Sequence, residues 1–93
     1  MYLTYKGHEI RPSRTAYKEM CDLRLYLDDI LKVLEMGKDA SRSRRKKGII
    51  EKAHRIRGRL IKVVIVESET RNDGRICWLI THVGETREHR SGK

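Results

Sequence analysis

The stretch Leu60-Ile-Lys-Val-Val-Ile-Val66 decides how this chain is read. It is the longest nearly unbroken apolar run, and its β-branched residues suit a pleated strand better than a helix. A Gly-Arg pair precedes it, an Asn-Asp-Gly cluster follows it, and a second apolar run, Ile76 to Val83, comes after that. The pattern predicts the central strand of a small antiparallel sheet. Side chains alternate along a strand, so Ile61, Val63 and Ile65 point one way and Leu60, Lys62, Val64 and Val66 the other. The first set is wholly apolar and is expected to take the helices. The second carries a lysine among apolar neighbours and is the face on which function is expected.

On the N-terminal side of this strand, Ile49 to Arg57 alternates in the same way, and Gly58-Arg59 is expected as a two-residue hairpin with Gly in the first central position. That register sets Arg57 opposite Leu60, Arg55 opposite Lys62 and Ala53 opposite Val64. Arg55, Arg57 and Lys62 then share the face turned away from the helices, while His54 and Ile56 face them. On the C-terminal side, Asn72-Asp-Gly74 is a turn signal leading into the last strand. Its loop length is ambiguous by one residue, and a one-residue slip exchanges the faces of a strand. Either Trp78, Ile80 and His82 or Leu79, Thr81 and Val83 therefore join the basic face. Residues 84–93 are polar and charged and are expected to form a flexible tail.

Upstream, Tyr2 to Ile10 alternates loosely around a Lys-Gly break and reads as an edge strand ended by Pro12. Ser13 is a suitable N-cap for a short helix from Arg14 to Met20, with Ala16, Tyr17 and Met20 on its apolar side. Leu23, Leu27, Ile30, Leu31 and Leu34 then repeat at helical spacing and form one stripe, which predicts a second helix lying on the Ile61, Val63 and Ile65 face. Its start is open, after Asp22 or near Tyr26. Asp28 and Asp29 suit its first turn, and Gly37 is a natural C′ residue. Leu31 is expected to be essential to the core. Between this helix and the sheet, 41–48 is a concentrated basic run without apolar periodicity, read as a linker.

Ninety-three residues allow a single domain with one modest core. The formal net charge is +9, an excess that points to a polyanionic partner, with nucleic acid foremost. The competing reading is a solvated surface of the thermophile kind, consistent with the absence of Gln and a single Asn, Asn72. Cys21 and Cys77 form no C-x-x-C motif and are expected to be reduced and buried. The N-terminus has no hydrophobic signal core and no run reaches membrane-spanning length, so a cytoplasmic protein with no membrane partner is expected.

The residues with most chemical content are the linker cations Arg42, Arg44, Arg45, Lys46 and Lys47 together with Arg55, Arg57 and Lys62. Guanidinium and ammonium groups neutralise phosphates and release counterions, so this patch predicts salt-dependent nucleic-acid binding. The alternative is that the strand cations pair with Glu51, Glu67 or Glu69. Of the four histidines, His82 is the best candidate for acid–base chemistry, since it ends an apolar strand beside the basic patch. His82, Glu85 and His89 match no zinc motif, and no Gly-rich phosphate loop or serine triad is present, so no metal and no cofactor are expected. Trp78 reads as core, with base stacking open to it only in one of the two registers.

The segments AYKEMCDLRLYLDDILKVLEMG, RLIKVVIVE and WLITHV, in this order around the basic linker, resemble a group of small bacterial and archaeal domains of unknown function related distantly to RelE/ParE-type toxins and BrnT-like proteins. In that group a short helix ends near a methionine, here Met20. A second helix opens with an acidic pair, here Asp28-Asp29, and closes on a glycine, here Gly37. The last strand reads toward Ile-Thr, here Ile80-Thr81. One departure is that many members begin the first helix with a histidine-containing signature where this chain has Ser13 and Thr15, so no role tied to that histidine carries over. The resemblance implies a RelE-like α+β fold, with an N-terminal strand and two helices on one face of an antiparallel meander. It also implies RNA as the favoured nucleic acid and, in its ribonuclease members, basic residues of the outer sheet face that hold RNA and stabilise charge during 2′-OH attack. Arg55, Arg57 and Lys62 would fill those roles, with Arg57, Lys62 and His82, the last as acid or base, the catalytic candidates, and an acidic antitoxin protein would be the partner. A non-catalytic binding module is the alternative on the same fold.

Overall fold

The structure, a computed structural model, describes residues 3–39, 48–69 and 74–86. The elements run β1 (Thr4–Tyr5), β2 (His8–Pro12), α1 (Arg14–Leu23), α2 (Leu27–Met36), β3 (Lys38–Asp39), β4 (Ile49–Ile56), β5 (Arg59–Glu69) and β6 (Ile76–Thr86). They make an α+β architecture with one six-stranded sheet in the order β1-β2-β6-β5-β4-β3. The strand predicted as central is central. Ile61, Val63 and Ile65 are completely buried, and they form one cluster with Ala16 and Met20 of α1 and Ile30, Val33 and Leu34 of α2. Burial of each large apolar side chain contributes about 1.5–3 kcal/mol, so this face is what holds the helices on the sheet.

The sheet is mixed rather than antiparallel. β1 and β2 form a hairpin across Lys6-Gly7, and β2 then pairs parallel with β6, with Ile10 opposite Trp78 and Pro12 opposite Ile80. The N-terminal strand thus has an inner and an edge part, and β2 ends at Pro12 as expected, with Pro12 as its last residue. Proline is tolerated there because it is the last residue of a three-residue ladder. Ser13 caps α1 as expected, accepting a hydrogen bond from Ala16 N–H at 3.1 Å. The helix runs on to Leu23, three residues beyond the expected end, and takes Leu23 out of the α2 stripe. Tyr17 is 59% exposed, so it belongs to the solvent side and not with Ala16 and Met20.

α2 begins at Leu27 with Tyr26 as N-cap. Tyr26 has no capping side chain of its own; instead its N–H donates to Asp29 Oδ2 at 3.0 Å, which is how a poor cap residue starts a helix. Val33, absent from the predicted stripe, is fully buried, whereas Leu31 is half-buried at the margin of the core. Gly37 ends α2 in extended backbone, φ −77°, and not in the left-handed conformation expected of a C′ glycine. It is glycine for a different reason. A Cβ there would lie 2.7 Å from the carbonyl oxygen of Ala53 and would also meet that of Val33, because the end of α2 is pressed onto β4.

The β4–β5 hairpin turns one residue earlier than predicted. Arg57 and Gly58 are the central pair, with φ +50° and +83°, so the turn takes the type I′ form with Gly second. Ile56 therefore pairs with Arg59, Arg55 with Leu60, Ala53 with Lys62 and Glu51 with Val64. The pairing moves by two residues, and a two-residue shift keeps the side chains that remain in the ladder on their predicted faces, while Arg57 passes into the turn. In β6 neither predicted facing holds throughout. Trp78 and Ile80 are buried toward the helices, and so is Val83, because a bulge opposite Val64 and Ile65 resets the alternation between them. Trp78 Nε1 donates to Tyr5 O at 2.9 Å, which places it in the core and ends the stacking alternative. β6 also continues through Thr86, so residues 84–86 are strand and not tail.

Candidate functional site

The described residues include eleven Asp and Glu and thirteen Lys and Arg, and several strand cations are engaged with strand carboxylates. Lys62 Nζ lies 3.2 Å from Glu51 Oε2, and Glu51 is buried on the face turned away from the helices. Lys52 Nζ is 2.9 Å from Asp39, and Arg11 Nε 3.3 Å from Glu9. Arg55 is exposed on the same outer face as Lys62 and also has a partner. The pairing of strand cations with strand carboxylates thus accounts for Lys62.

Arg57 is not on that face. Sitting in the turn with positive φ, it reaches toward the helices, where Nη1 and Nη2 each donate to one oxygen of Asp29 at 3.1 Å and Nη2 also donates to Arg24 O at 3.2 Å. Beside it, Arg59 Nη2 donates to Leu23 O at 2.6 Å. Two hairpin arginines therefore clamp the α1–α2 junction. Partial burial raises the pKa of Asp29, but the hydrogen bonds from Arg57 and from Tyr26 N–H outweigh it, and the charges of Arg57 and Lys32 add to them. The carboxyl ends below its ordinary value. Arg57 is in turn held more firmly protonated by that carboxylate, chiefly through the hydrogen bond. Arg57 is a structural residue here, and the trio Arg55, Arg57 and Lys62 is not one site.

His82 lies on the outer face opposite Val64, diagonal to Lys62, which is opposite Gly84. Its Nδ1 is 3.1 Å from Glu19 Oε2, while Glu19 Oε1 accepts from Val83 N–H at 2.8 Å. The local reason is the length of β2. That strand stops at Pro12, opposite Ile80, and leaves the edge of β6 beyond it without a ladder partner, so α1 supplies a carboxylate instead. A carboxylate only accepts, which fixes the proton on Nδ1 and leaves Nε2 as the acceptor in neutral imidazole. The ring is 48% exposed and lies over Gly84, where a Cβ would be 3.1 Å from Nε2. Glu19 is not legible from spacing, since it is 63 positions away from His82 in the chain.

The linker cations Arg42, Arg44, Arg45, Lys46 and Lys47 lie outside the described residues, as do residues 87–93. They matter to the charge balance all the same. The described residues carry thirteen Lys and Arg against eleven Asp and Glu, a net of +2. The other +7 of the total +9 falls in 1–2, 40–47, 70–73 and 87–93, with five cations in 42–47 alone. The described residues are close to neutral, and most of the excess falls in the 42–47 run.

On the opposite side of the molecule, α1 and the α1–α2 junction open an apolar groove of about 420 Å³ lined by Pro12, Tyr17, Met20, Cys21, Arg24, Leu25, Tyr26 and Leu27. Cys21 is exposed there, contrary to expectation, while Cys77 is buried. Among the described residues no group of three His, Cys, Asp or Glu side chains is placed to hold a metal ion, and no helix is long and apolar enough to cross a membrane. No protein-family model, curated protein or solved structure matches this chain.

Proposed function

We propose that this protein binds nucleic acid, RNA in preference, through electrostatic capture by the 42–47 run. The observation that carries this reading is the distribution of charge: five cations and no carboxylate within residues 42–47, whereas Arg11, Lys52 and Lys62 of the sheet are paired with carboxylates. A thermophile surface network spreads both signs over the fold and pairs them. Here the pairing is found within the sheet, and the surplus is gathered in short runs, the pattern of a polyanion-binding arm. The order of strand, two helices and three-stranded meander, with both helices on one face, agrees with a RelE-like fold, and that kinship is part of the proposal.

A second reading, a toxin-type endoribonuclease neutralised by an acidic partner protein, is favoured by one specific observation. Glu19 holds His82 Nδ1 at 3.1 Å and leaves Nε2 of a half-exposed ring as the acceptor, the nitrogen a general base would use. Arg57 takes no part in it, being committed to Asp29.

One experiment tests both. Anisotropy of labelled RNA and DNA oligonucleotides is measured over a salt series, with strand integrity checked on a gel. Wild type is expected to bind with a steep salt slope. Replacing Arg44, Arg45, Lys46 and Lys47 by Ser is expected to flatten that slope by about 0.7 for each phosphate no longer neutralised. Fragments that vanish in His82→Ala would establish the ribonuclease. Intact strands would leave a binding module, and no binding at low salt would overturn the proposal.

A further inference from the structure

The groove along α1 differs from the sheet face in one respect that bears on ligands: Arg24 in its lining, and Arg14 and Lys18 elsewhere on α1, are not spent on carboxylates. Arg14, Tyr17, Lys18 and Cys21 recur at spacings of three and four, which lines them along one side of α1, and Arg24 follows as its C-cap. All five are exposed. Among the described residues Arg14, Lys18 and Arg24 make no side-chain ion pair, in contrast to Lys52, Arg57 and Lys62. Tyr17, 59% exposed, and Tyr26, 72% exposed, line the same groove. Tyr26 caps α2 through its backbone, which leaves its ring in the solvent.

The junction that presents them is held in an unfavourable conformation. Arg24 is left-handed, φ +57° and ψ +45°, at a helix end where glycine is the usual occupant. It stays there because Arg24 N–H donates to Cys21 O, Leu25 N–H donates to Met20 O, and Arg57 bonds the Arg24 carbonyl from outside. Strained backbone of this kind persists where its surroundings over-determine it, and it is concentrated at binding sites. Here it fixes the position of a cation next to two solvent-facing rings.

We infer that this groove is a base-stacking site for single-stranded nucleic acid, with Tyr17 and Tyr26 as the stacking platforms and Arg14, Lys18 and Arg24 along the backbone track. The inference rests on the nucleic-acid reading above and deepens it by naming the strand form and the second binding surface. Exposed rings interleaved with unpaired cations match a polyanion whose bases are free to stack, and they match a paired duplex poorly, because its bases are already stacked on each other. The occupant is therefore an unpaired strand of RNA or DNA, the 2′-OH deciding between them.

The test is fluorescence anisotropy with labelled oligo(U), oligo(dT) and a duplex, plus competition by inorganic polyphosphate, a polyanion without bases. Tyr17→Ala with Tyr26→Ala is expected to weaken single-strand binding by about fivefold or more for each ring removed, leaving the salt slope unchanged. Competition by polyphosphate should respond to Arg14→Ala with Lys18→Ala and not to removal of the rings. Tyr17→Phe with Tyr26→Phe, which keeps both platforms, should bind as wild type and serves as the control for folding. If the alanine pair binds single strands as wild type does, while neutralising 42–47 abolishes binding, the groove assignment is overturned and the nucleic-acid reading stands. If wild type binds no strand at all, both are overturned. Preference for the duplex over either single strand would also overturn the groove.

Discussion

Lys62→Ala separates the two roles that the outer sheet face offers this residue. If Lys62 binds phosphate, its removal weakens nucleic-acid affinity and leaves the fold alone. If it neutralises Glu51, removal leaves affinity alone and weakens the fold. The pair is intermediate in burial: the Lys62 side chain is 34% exposed and that of Glu51 4%, with Nζ and Oε2 3.2 Å apart. Solvated ion pairs are worth about 0–1 kcal/mol, and stripping one member from a fully buried pair costs about 3–5 kcal/mol. Glu51 retains a further interaction and Lys62 meets solvent, so the loss is placed at about 1–2 kcal/mol between those limits. For a domain of this size that lowers Tm by about 5–15 °C. Thermal melting by circular dichroism measures it, with oligonucleotide anisotropy on the same variant. The double change Glu51→Gln with Lys62→Met should recover most of the loss, since it leaves no buried charge unmatched. An unchanged Tm combined with a tenfold weaker oligonucleotide affinity would refute this assignment of Lys62.

Two further outcomes are expected. Gly37→Ala should destabilise by about 1–3 kcal/mol in chemical denaturation, because the added carbon meets two backbone carbonyls that cannot swing aside; a neutral or stabilised variant would mean that α2 does not press on β4 as described. Asp29 has a lowered pKa in the fold, so between its ordinary 3.8 and that lower value the unfolded chain binds the more protons. Its contribution is fully present above pH 3.8 and is lost as pH falls through the folded value, and Arg57→Ala should remove this part of the acid transition in a pH-dependent unfolding series.

What is legible in the sequence follows from local periodicity and local chemistry. The central strand and its buried face come from the alternation of Ile61, Val63 and Ile65. Ser13 as a cap follows from its hydroxyl and from the helix that starts behind it, and the end of α2 at Gly37 from composition alone. Arg55 and Lys62 fall on the outer face although the turn lies one residue from its expected place, because the pairing then moves by two and strand facing has a period of two. The charge of +9 and its concentration in 42–47 are properties of the sequence itself.

Tertiary structure decides the rest, through interactions between residues far apart in the chain. Arg57 reads as a phosphate ligand until Asp29, 28 positions away, is brought against it. Whether Lys62 is available or pairs with Glu51, Glu67 or Glu69 stays open in the sequence until Glu51 is set diagonally across the hairpin. Glu19 enters only because β2 is too short to cover the edge of β6, and the facing of β6 only because a bulge lets Ile80 and Val83 both turn inward. Tyr17 and Tyr26 reach solvent because Ala16, Met20 and Leu25 take the places against the sheet. Sequence periodicity states which side of an element is apolar. Which charges remain for a ligand depends on which partners the fold has already supplied.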